Sequence, residues 1–196
     1  MADALARVEL VLVRHGETEW SRTGRHTGRT DVPLDARGRE QAEAVGAVLA
    51  AWTFARVLTS PSARAVETCR LAGFGGAAET DDDLLEWDYG DYEGVTTAEI
   101  RRERPGWTLW RDGVPGGETA EQVGARADRF LAGLADVDGA VAAFGHGHIL
   151  RVLAARWLGL EPVAGRLLAL DPATVSVLDH EHEQRVVRRW NDHCGD

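Results

Sequence analysis

A short apolar run at 8–13 (Val-Glu-Leu-Val-Leu-Val) leads directly into Arg14-His15. Similar short runs occur at 56–59 and 140–144, and the segments between the three have apolar residues at helical spacing. Short continuous apolar strands separated by helices are typical of parallel sheets that are covered on both faces. We therefore predict an α/β fold, a three-layer sandwich with a mostly parallel central sheet and helices on both faces.

Helical spacing of apolar residues is found at 36–52, 61–72, 118–135 and 149–158. Ser60-Pro61 has the form of an N-cap followed by proline at the first helical position, so we expect the second helix to begin there. The last two apolar segments, 173–179 and 185–190, alternate apolar and polar residues. This alternation predicts two antiparallel strands at one edge of the sheet.

The chain length of 196 residues predicts one domain over 1–196. Residues 84–117 are rich in tryptophan, tyrosine and glycine and have no clear period. This composition predicts a structured insertion or lid that sets substrate specificity, with one short helix near 96–103.

The charge pattern excludes several classes of function. The formal net charge is −10, from 22 basic and 32 acidic residues, and the basic residues form no stripe or block, so we expect no nucleic-acid partner. No segment approaches the roughly 20 apolar residues of a membrane span, so we expect no membrane partner. Every basic residue is arginine, which excludes a lysine Schiff base or a P-loop lysine.

The two cysteines, Cys69 and Cys194, are far apart in the sequence and are typical of thiols in a reducing compartment. The first apolar run is too short for a signal peptide, so we expect a cytoplasmic protein. Trp52, Trp157 and Trp190 fit either a core or an interface, and a homodimer is left open.

Four side chains suited to phosphate follow the predicted strands. Arg14 and His15 follow the first strand, Arg64 comes soon after the second, and His146 follows the third. Ligands of open α/β sheets bind beyond the carboxyl ends of the strands, so we expect these residues to meet there. Arginine offers a fork of donors that matches phosphate oxygens, and histidine can attack phosphorus or move a proton.

A carboxylic acid is also expected, because the leaving oxygen needs a proton. The segment 86–94 holds four candidates among aromatic residues, and burial against aromatic surface would keep one of them protonated. The residues alone do not choose among Glu86, Asp88, Asp91 and Glu93. His146 and His148 could also suggest a metal, but a zinc site needs a third nearby ligand, so we expect no metal and no other cofactor.

Taken in order, these segments resemble the histidine phosphatase superfamily, also called phosphoglycerate mutase-like. The resemblance covers most of 8–160 and rests on residues 13–18, 27–34, 60–68, 86–94, 117–119 and 145–147. It implies the sandwich fold of that family and a small phosphorylated metabolite as the partner.

The resemblance also implies a role for each site residue. His15 would be the phosphorylated nucleophile, and Arg14, Arg64 and His146 would hold the phosphoryl group. Glu86 would be the general acid, which protonates the leaving oxygen and then activates water. The implied substrate pocket further includes Ser21, Thr27, Gly28 and Gly147.

Within the superfamily, mutase-type members have an Arg-His pair after the acid and a lysine. Here Trp87-Asp88 follow Glu86, and lysine is missing from the sequence. The chain looks more like the acid phosphatase and sugar-bisphosphatase branch, which implies a metal-independent phosphatase of small metabolites, with sugar phosphates among the candidates. Two alternatives are kept: a cofactor-dependent phosphoglycerate mutase, and a non-catalytic module that binds phosphorylated ligands.

Overall fold

The central sheet has six strands in a computed structural model that describes residues 8–194. The order across the sheet is β3-β2-β4-β1-β5-β6. The first four of these are parallel, whereas β5 is antiparallel to both β1 and β6. The strands are β1 (Val8–Arg14), β2 (Phe54–Thr59), β3 (Ala78–Thr80), β4 (Gly139–Gly145), β5 (Thr174–Glu181) and β6 (Gln184–His193).

Seven α-helices connect or flank these strands within the described residues: α1 (Glu19–Thr23), α2 (Ala36–Leu49), α3 (Ala63–Leu71), α4 (Thr97–Glu103), α5 (Leu109–Asp112), α6 (Ala120–Ala132) and α7 (Gly147–Trp157). Three short 3-10 segments lie at Asp82–Leu84, Gly90–Tyr92 and Pro162–Leu167. None of the helices within 8–194 is both long and apolar enough to cross a membrane.

Strand β1 shows how the sandwich is built. Leu10 and Leu12 are buried in one apolar cluster, which includes residues of α6 and α7. The alternate residues Val11 and Val13 are buried in a second cluster, which includes residues of α2 and α3. Because successive strand side chains point to opposite faces, a strand with four consecutive apolar residues, as at 10–13, requires a cover on both sides. The predicted sandwich and its antiparallel edge are confirmed.

Several elements differ from the sequence prediction. Strand β3 and helices α1 and α5 were not predicted, because each has only three to five residues and shows no usable period. Helix α3 begins at Ala63 with Ser62 as its N-cap, so the prediction of a start at Pro61 is wrong. The predicted domain limits at 1 and 196 lie outside the described residues.

The insertion at 84–117 is a chain of short elements rather than one long helix. Helix α4 confirms the short helix expected near 96–103, and it begins with a capping box in which Thr96 and Glu99 satisfy each other's backbone amides. Trp107 and Leu109 are buried and anchor the segment to the larger apolar cluster. The insertion is therefore ordered by its own core contacts.

The loop after β1 and the first turn of α2 touch backbone to backbone. A Cβ built on Gly38 would lie 2.1 Å from the Glu17 carbonyl oxygen, and one on Gly16 would lie 2.2 Å from the Gly38 carbonyl oxygen. Neither oxygen belongs to a flexible side chain, so the backbone itself would have to move. The pair of glycines fixes the position of the loop that carries His15.

We expect Gly38→Ala to lower the free energy of unfolding by about 1–3 kcal/mol, the cost of overpacking a tight site. The expected change in the free energy of unfolding is opposite to the usual one, because alanine ordinarily stabilises a helix relative to glycine. Gly133→Ala is the matched control, since its nearest contact would be an ordinary 3.4 Å. Urea titrations of both variants measure the effect, and equal midpoints would contradict the packing argument.

Candidate active site

The site forms where β1, β2 and β4 end side by side. Arg14 is paired with Gly145 in the register of β1 and β4. The backbone amide of His15 donates to the Gly145 carbonyl oxygen at 3.0 Å, and that of Ser60 donates to the Phe144 carbonyl oxygen at 2.8 Å. These bonds bring His15 and the neighbouring His146 to one edge of the sheet, as the sequence predicts, and they place Ser60 beside them.

His15 has a defined tautomer. Its Nδ1 lies 2.7 Å from the Gly16 carbonyl oxygen, which can only accept, so Nδ1 carries the hydrogen and donates. Nε2 is therefore the nitrogen with a free lone pair. Burial lowers the pKa of His15 well below its usual value, and the nearby charges of Arg64 and Arg14 lower it further. The ring is neutral near pH 7 and suited to nucleophilic attack.

Arg64 and His146 form a fully buried pair behind His15. Nε of Arg64 donates to Nδ1 of His146 at 3.1 Å, and Nε2 of His146 donates to the Ser60 hydroxyl at 2.8 Å. The rings of His146 and His15 meet edge to face, with centroids 5.2 Å apart. Burial and the charge of Arg64 keep the pKa of His146 well below its usual value, so this ring is also neutral.

The remaining bonds of Arg64 go to a single loop. Nη1 donates to the Thr30 carbonyl oxygen at 3.0 Å, and Nη2 donates to the Thr27 and Gly28 carbonyl oxygens at 3.2 and 3.0 Å. All four acceptors of this guanidinium are neutral. Arg64 therefore fixes the loop without losing its positive charge to a carboxylate.

Arg14 supplies a second positive charge at the mouth of the site. Its Nη1 donates to the Leu170 carbonyl oxygen, while its buried Nε has no hydrogen-bond partner among residues 8–194. A buried donor without a partner is costly, and an anionic oxygen would satisfy it. A Cβ built on Gly147 would lie 3.5 Å from Arg14 Cζ, so the glycine keeps the space beside the guanidinium open.

Glu86 lies opposite, at the N-terminus of α7. Its Oε1 accepts from the backbone amides of Trp87 and Ile149, and its Oε2 accepts from that of His148, each at 2.9 Å. Burial alone would raise the pKa of Glu86, but the hydrogen bonds and charge interactions from His148, with a charge contribution from His146, hold it well below its usual value. The expectation that burial keeps this carboxyl protonated is therefore wrong for the free protein.

A cavity of about 380 Å³ opens in front of these groups. Of the predicted site residues, Arg14, His15, Ser21, Thr27, Glu86 and Gly147 line it. The described residues that line it do not include Gly28, Arg64 or His146. Gly28 acts through its backbone, because its amide donates to Glu93 at 2.9 Å while its carbonyl oxygen holds Arg64.

The hydroxyl of Ser21 is engaged within its own helix. It donates to the Thr18 carbonyl oxygen at 3.0 Å and accepts from the Thr18 amide at 2.9 Å, which completes the capping box of α1. The hydroxyl of Thr27 donates to the Arg25 carbonyl oxygen at 3.2 Å. Both side chains reach the cavity wall, and both have a structural bond already.

Sequence reasoning missed several residues of the cavity wall. His148 and Arg151 lie three apart on the first turns of α7, a spacing that places them on the same helix face as the predicted site. Tyr89, Trp107 and Trp110 come from the insertion, whose geometry no short-range pattern predicts. Ser60 was expected only as a helix cap. Among residues 8–194, no three His, Cys, Asp or Glu side chains form a cluster that could hold a metal.

The comparison with known protein families agrees with this geometry. The model of the histidine phosphatase superfamily (branch 1) matches residues 10–193. The chain belongs to this superfamily. The match extends from β1 into β6, so this histidine phosphatase domain spans nearly all of the described fold.

Two relatives of 38–41% identity are named as phosphatases, whereas relatives of 28% identity are named as probable phosphoglycerate mutases. An acid phosphatase of Mycobacterium tuberculosis is 41% identical over 180 residues, which cover 90% of this chain and 88% of the relative. Sedoheptulose 1,7-bisphosphatase of Saccharomyces cerevisiae is 38% identical over 183 residues, covering 76% of this chain and 67% of the relative. The solved structure of a Mycobacterium tuberculosis open reading frame gives a TM-score of 0.90 at 38% identity, covering 95% of this chain and 98% of that chain. The predicted family, fold and phosphatase class are confirmed.

The buried histidines predict how stability depends on pH. Their pKa values are lowered in the folded state, so below about pH 6.5 the unfolded chain binds protons that the folded protein excludes. We expect the free energy of unfolding to fall as the pH drops from about 8 to about 5.5. In His15→Gln this decrease should be smaller, by up to about 1.4 kcal/mol per pH unit.

Urea unfolding of both proteins at several pH values measures the difference. His182→Gln is the matched control, because it removes a histidine from the exposed turn between β5 and β6, outside the buried site. An unchanged dependence in His15→Gln would show that His15 is not held neutral in the folded protein.

Proposed function

We propose that this chain is a metal-independent phosphomonoesterase that transfers the phosphoryl group of a small metabolite to His15 and then to water. The observation that carries the proposal is the fixed tautomer of His15, whose Nδ1 hydrogen is held by Gly16. This leaves the Nε2 lone pair on a ring that lines the cavity with Arg14 and Glu86.

In the first step, Nε2 of His15 attacks phosphorus while the bond to the leaving oxygen breaks. That oxygen takes a proton from the carboxyl of Glu86, which becomes a carboxylate. The positive charges of Arg14 and Arg64 stabilise the negative charge on the equatorial oxygens, the role that metal ions fill in other phosphoryl-transfer sites.

In the second step, a water molecule attacks phosphorus, and the bond to Nε2 breaks. Glu86 accepts the proton of the water, and inorganic phosphate leaves. The interactions with His148 and the backbone amides that lower the pKa of Glu86 suit this step directly, because a general base must be free to accept a proton.

The far wall of the cavity supports a substrate with a second anionic group. Arg25, Arg101 and Arg151 line it, and within residues 8–194 none of the three has a carboxylate within ion-pair distance. Arg151 is firmly placed, since its Nε donates to the Gly165 carbonyl oxygen at 3.0 Å and its Cζ lies 4.8 Å from the Trp110 ring centroid. A sugar bisphosphate has this charge pattern, and one relative is named for such a substrate.

Location and assembly are further proposals. Cys69 and Cys194 are both free thiols, which supports a reducing compartment and hence the cytoplasm. Leu160 and Leu167 are 47% and 72% exposed, and the homodimer stays a prediction.

We expect rapid acid quenching during turnover to trap a phosphoenzyme that is labile to acid and stable to base. His15→Ala should lose this species and lower kcat by about 10⁴-fold or more, with an unchanged circular dichroism spectrum. His182→Ala is the control for loss of a histidine, and EDTA should leave the rate of the parent unchanged. Full activity in His15→Ala would refute the proposal.

The same assay separates the two alternatives. A phosphoglycerate mutase would transfer phosphate between phosphoglycerates faster than it releases inorganic phosphate. A module that only binds phosphorylated ligands would form no phosphoenzyme.

Arg151→Met should lower kcat/KM for fructose 1,6-bisphosphate about 10- to 100-fold more than for fructose 1-phosphate, because only the bisphosphate loses a charge-assisted contact. Arg166→Met is the matched control, since it removes an exposed arginine outside the cavity. Equal losses for the two substrates would show that Arg151 binds no second anionic group.

A further inference from the structure

His148 is a titratable side chain of the cavity that the two steps above do not use. It lies on the first turn of α7, and its side chain is 22% exposed toward the cavity. The rings of Trp87 and Trp110 contact it, with centroids 6.2 and 5.4 Å away. These contacts fix the imidazole beside Glu86.

Nδ1 of His148 faces two oxygen atoms. It lies 2.6 Å from the Tyr89 hydroxyl and 3.8 Å from Oε2 of Glu86. A hydroxyl can donate to a bare Nδ1, or it can rotate and accept from a protonated one. Tyr89 therefore stabilises His148 with or without a hydrogen on Nδ1, and it needs no change of its own charge.

The hydrogen bonds of Glu86 favour its ionised form, so it must obtain a proton from a neighbouring group before the first chemical step. Oε1 already accepts two backbone amides and Oε2 accepts one, so Oε2 is the oxygen with more capacity left. The same amides favour the carboxylate, yet the first chemical step consumes a carboxyl proton. The proton must reach Glu86 when substrate is present, and Oε2 on the His148 side is where it can be added.

We propose that His148 is a positioning residue that receives a proton on Nδ1 and passes it to Oε2 of Glu86 before the leaving oxygen departs. The inference rests on the proposed phosphatase mechanism. The proton enters from solvent as the anionic phosphoryl group binds, because that charge favours protonation of the pair. It moves from Nδ1 to Oε2 and then to the leaving oxygen. Water returns one proton to Glu86 in the second step, and this proton leaves to solvent through Nδ1 of His148 when phosphate departs, so each turnover takes up and releases one proton.

In the free protein, His148 and Glu86 lie close together but are not hydrogen-bonded to each other through their side chains. A separation of 3.8 Å is longer than a hydrogen bond, and such contacts commonly tighten only when substrate is bound. Burial is the main cause that lowers the pKa of His148; Glu86 raises this pKa, and Arg151 and Arg14 lower it further. The ring of His26, which lies 4.8 Å from that of Tyr89, completes the titratable groups at this wall. A bound anion offsets the two arginines and shifts this balance toward protonation.

Leaving groups of different basicity test the proposal. An alkoxide leaving from glycerol 2-phosphate needs a proton, whereas p-nitrophenolate leaves as a stable anion. His148→Asn should therefore slow glycerol 2-phosphate about 10- to 100-fold more than it slows p-nitrophenyl phosphate, a fraction of the 10²–10⁴-fold that general acids contribute. Tyr89→Phe, which retains the ring, should shift the same ratio in the same direction by a smaller factor.

A double-variant cycle shows whether His148 acts through Glu86. In Glu86→Gln, which cannot carry the proton, adding His148→Asn should cause no further loss that depends on the leaving group. Equal slowing of both substrates by His148→Asn, or an undiminished ratio in the double variant, would overturn the proposal. Tyr89→Phe gives an independent reading if His148→Asn unfolds.

The phosphatase mechanism is checked separately by the phosphoenzyme in the parent protein. If the parent forms that intermediate and the leaving-group ratio does not change in His148→Asn or Tyr89→Phe, only the role of His148 fails. If the parent forms no phosphoenzyme, the proposed function itself fails.

Discussion

The fully buried charge of Arg64 is the constraint on which the rest of the site depends. A buried guanidinium is tolerable only when its donors are satisfied, and here one neutral imidazole and three backbone carbonyl oxygens satisfy them. Those bonds tie the loop at 27–30 and His146 to the start of α3. Because no acceptor is a carboxylate, the positive charge of Arg64 is not neutralised. Together with burial, which is the larger cause, this charge lowers the pKa of His15.

Glu86 shows which of two opposing effects wins at a buried carboxyl. Burial favours the neutral acid, while the interactions with His148 and three amide hydrogen bonds, two of them from the first turn of α7, favour the anion. Here the hydrogen bonds and charges dominate. In the proposed mechanism, this ionised Glu86 suits the step that releases phosphate, and the step that forms the phosphoenzyme needs a proton that arrives with substrate.

The sequence predicted the sandwich because consecutive apolar residues in a strand indicate burial on both faces. Leu10 and the adjacent Val11 are accordingly buried in two different apolar clusters. The sequence also predicted that His15 and His146 would meet, since parallel strands end at a common edge. Residue patterns alone did not choose Glu86 from four carboxylates, and only the family resemblance did, because that choice depends on where the insertion crosses the N-terminus of α7. The same is true of Tyr89 and Trp110, whose places are set by long-range packing rather than by any local pattern.

The first turn of α7 has a consequence for how such a site can diversify. This turn begins at His146 as its N-cap and carries the amides that hold Glu86, so the leaving-group end and the phosphoryl end of the site share one rigid piece of backbone. A substitution that shifts this turn to admit a bulkier metabolite would disturb both ends at once. Cavity-wall residues outside this turn, such as Thr97 and Thr108 of the insertion, do not belong to its backbone, so their substitution leaves the turn in place. Changes at such positions can alter the cavity without shifting both ends of the site at once.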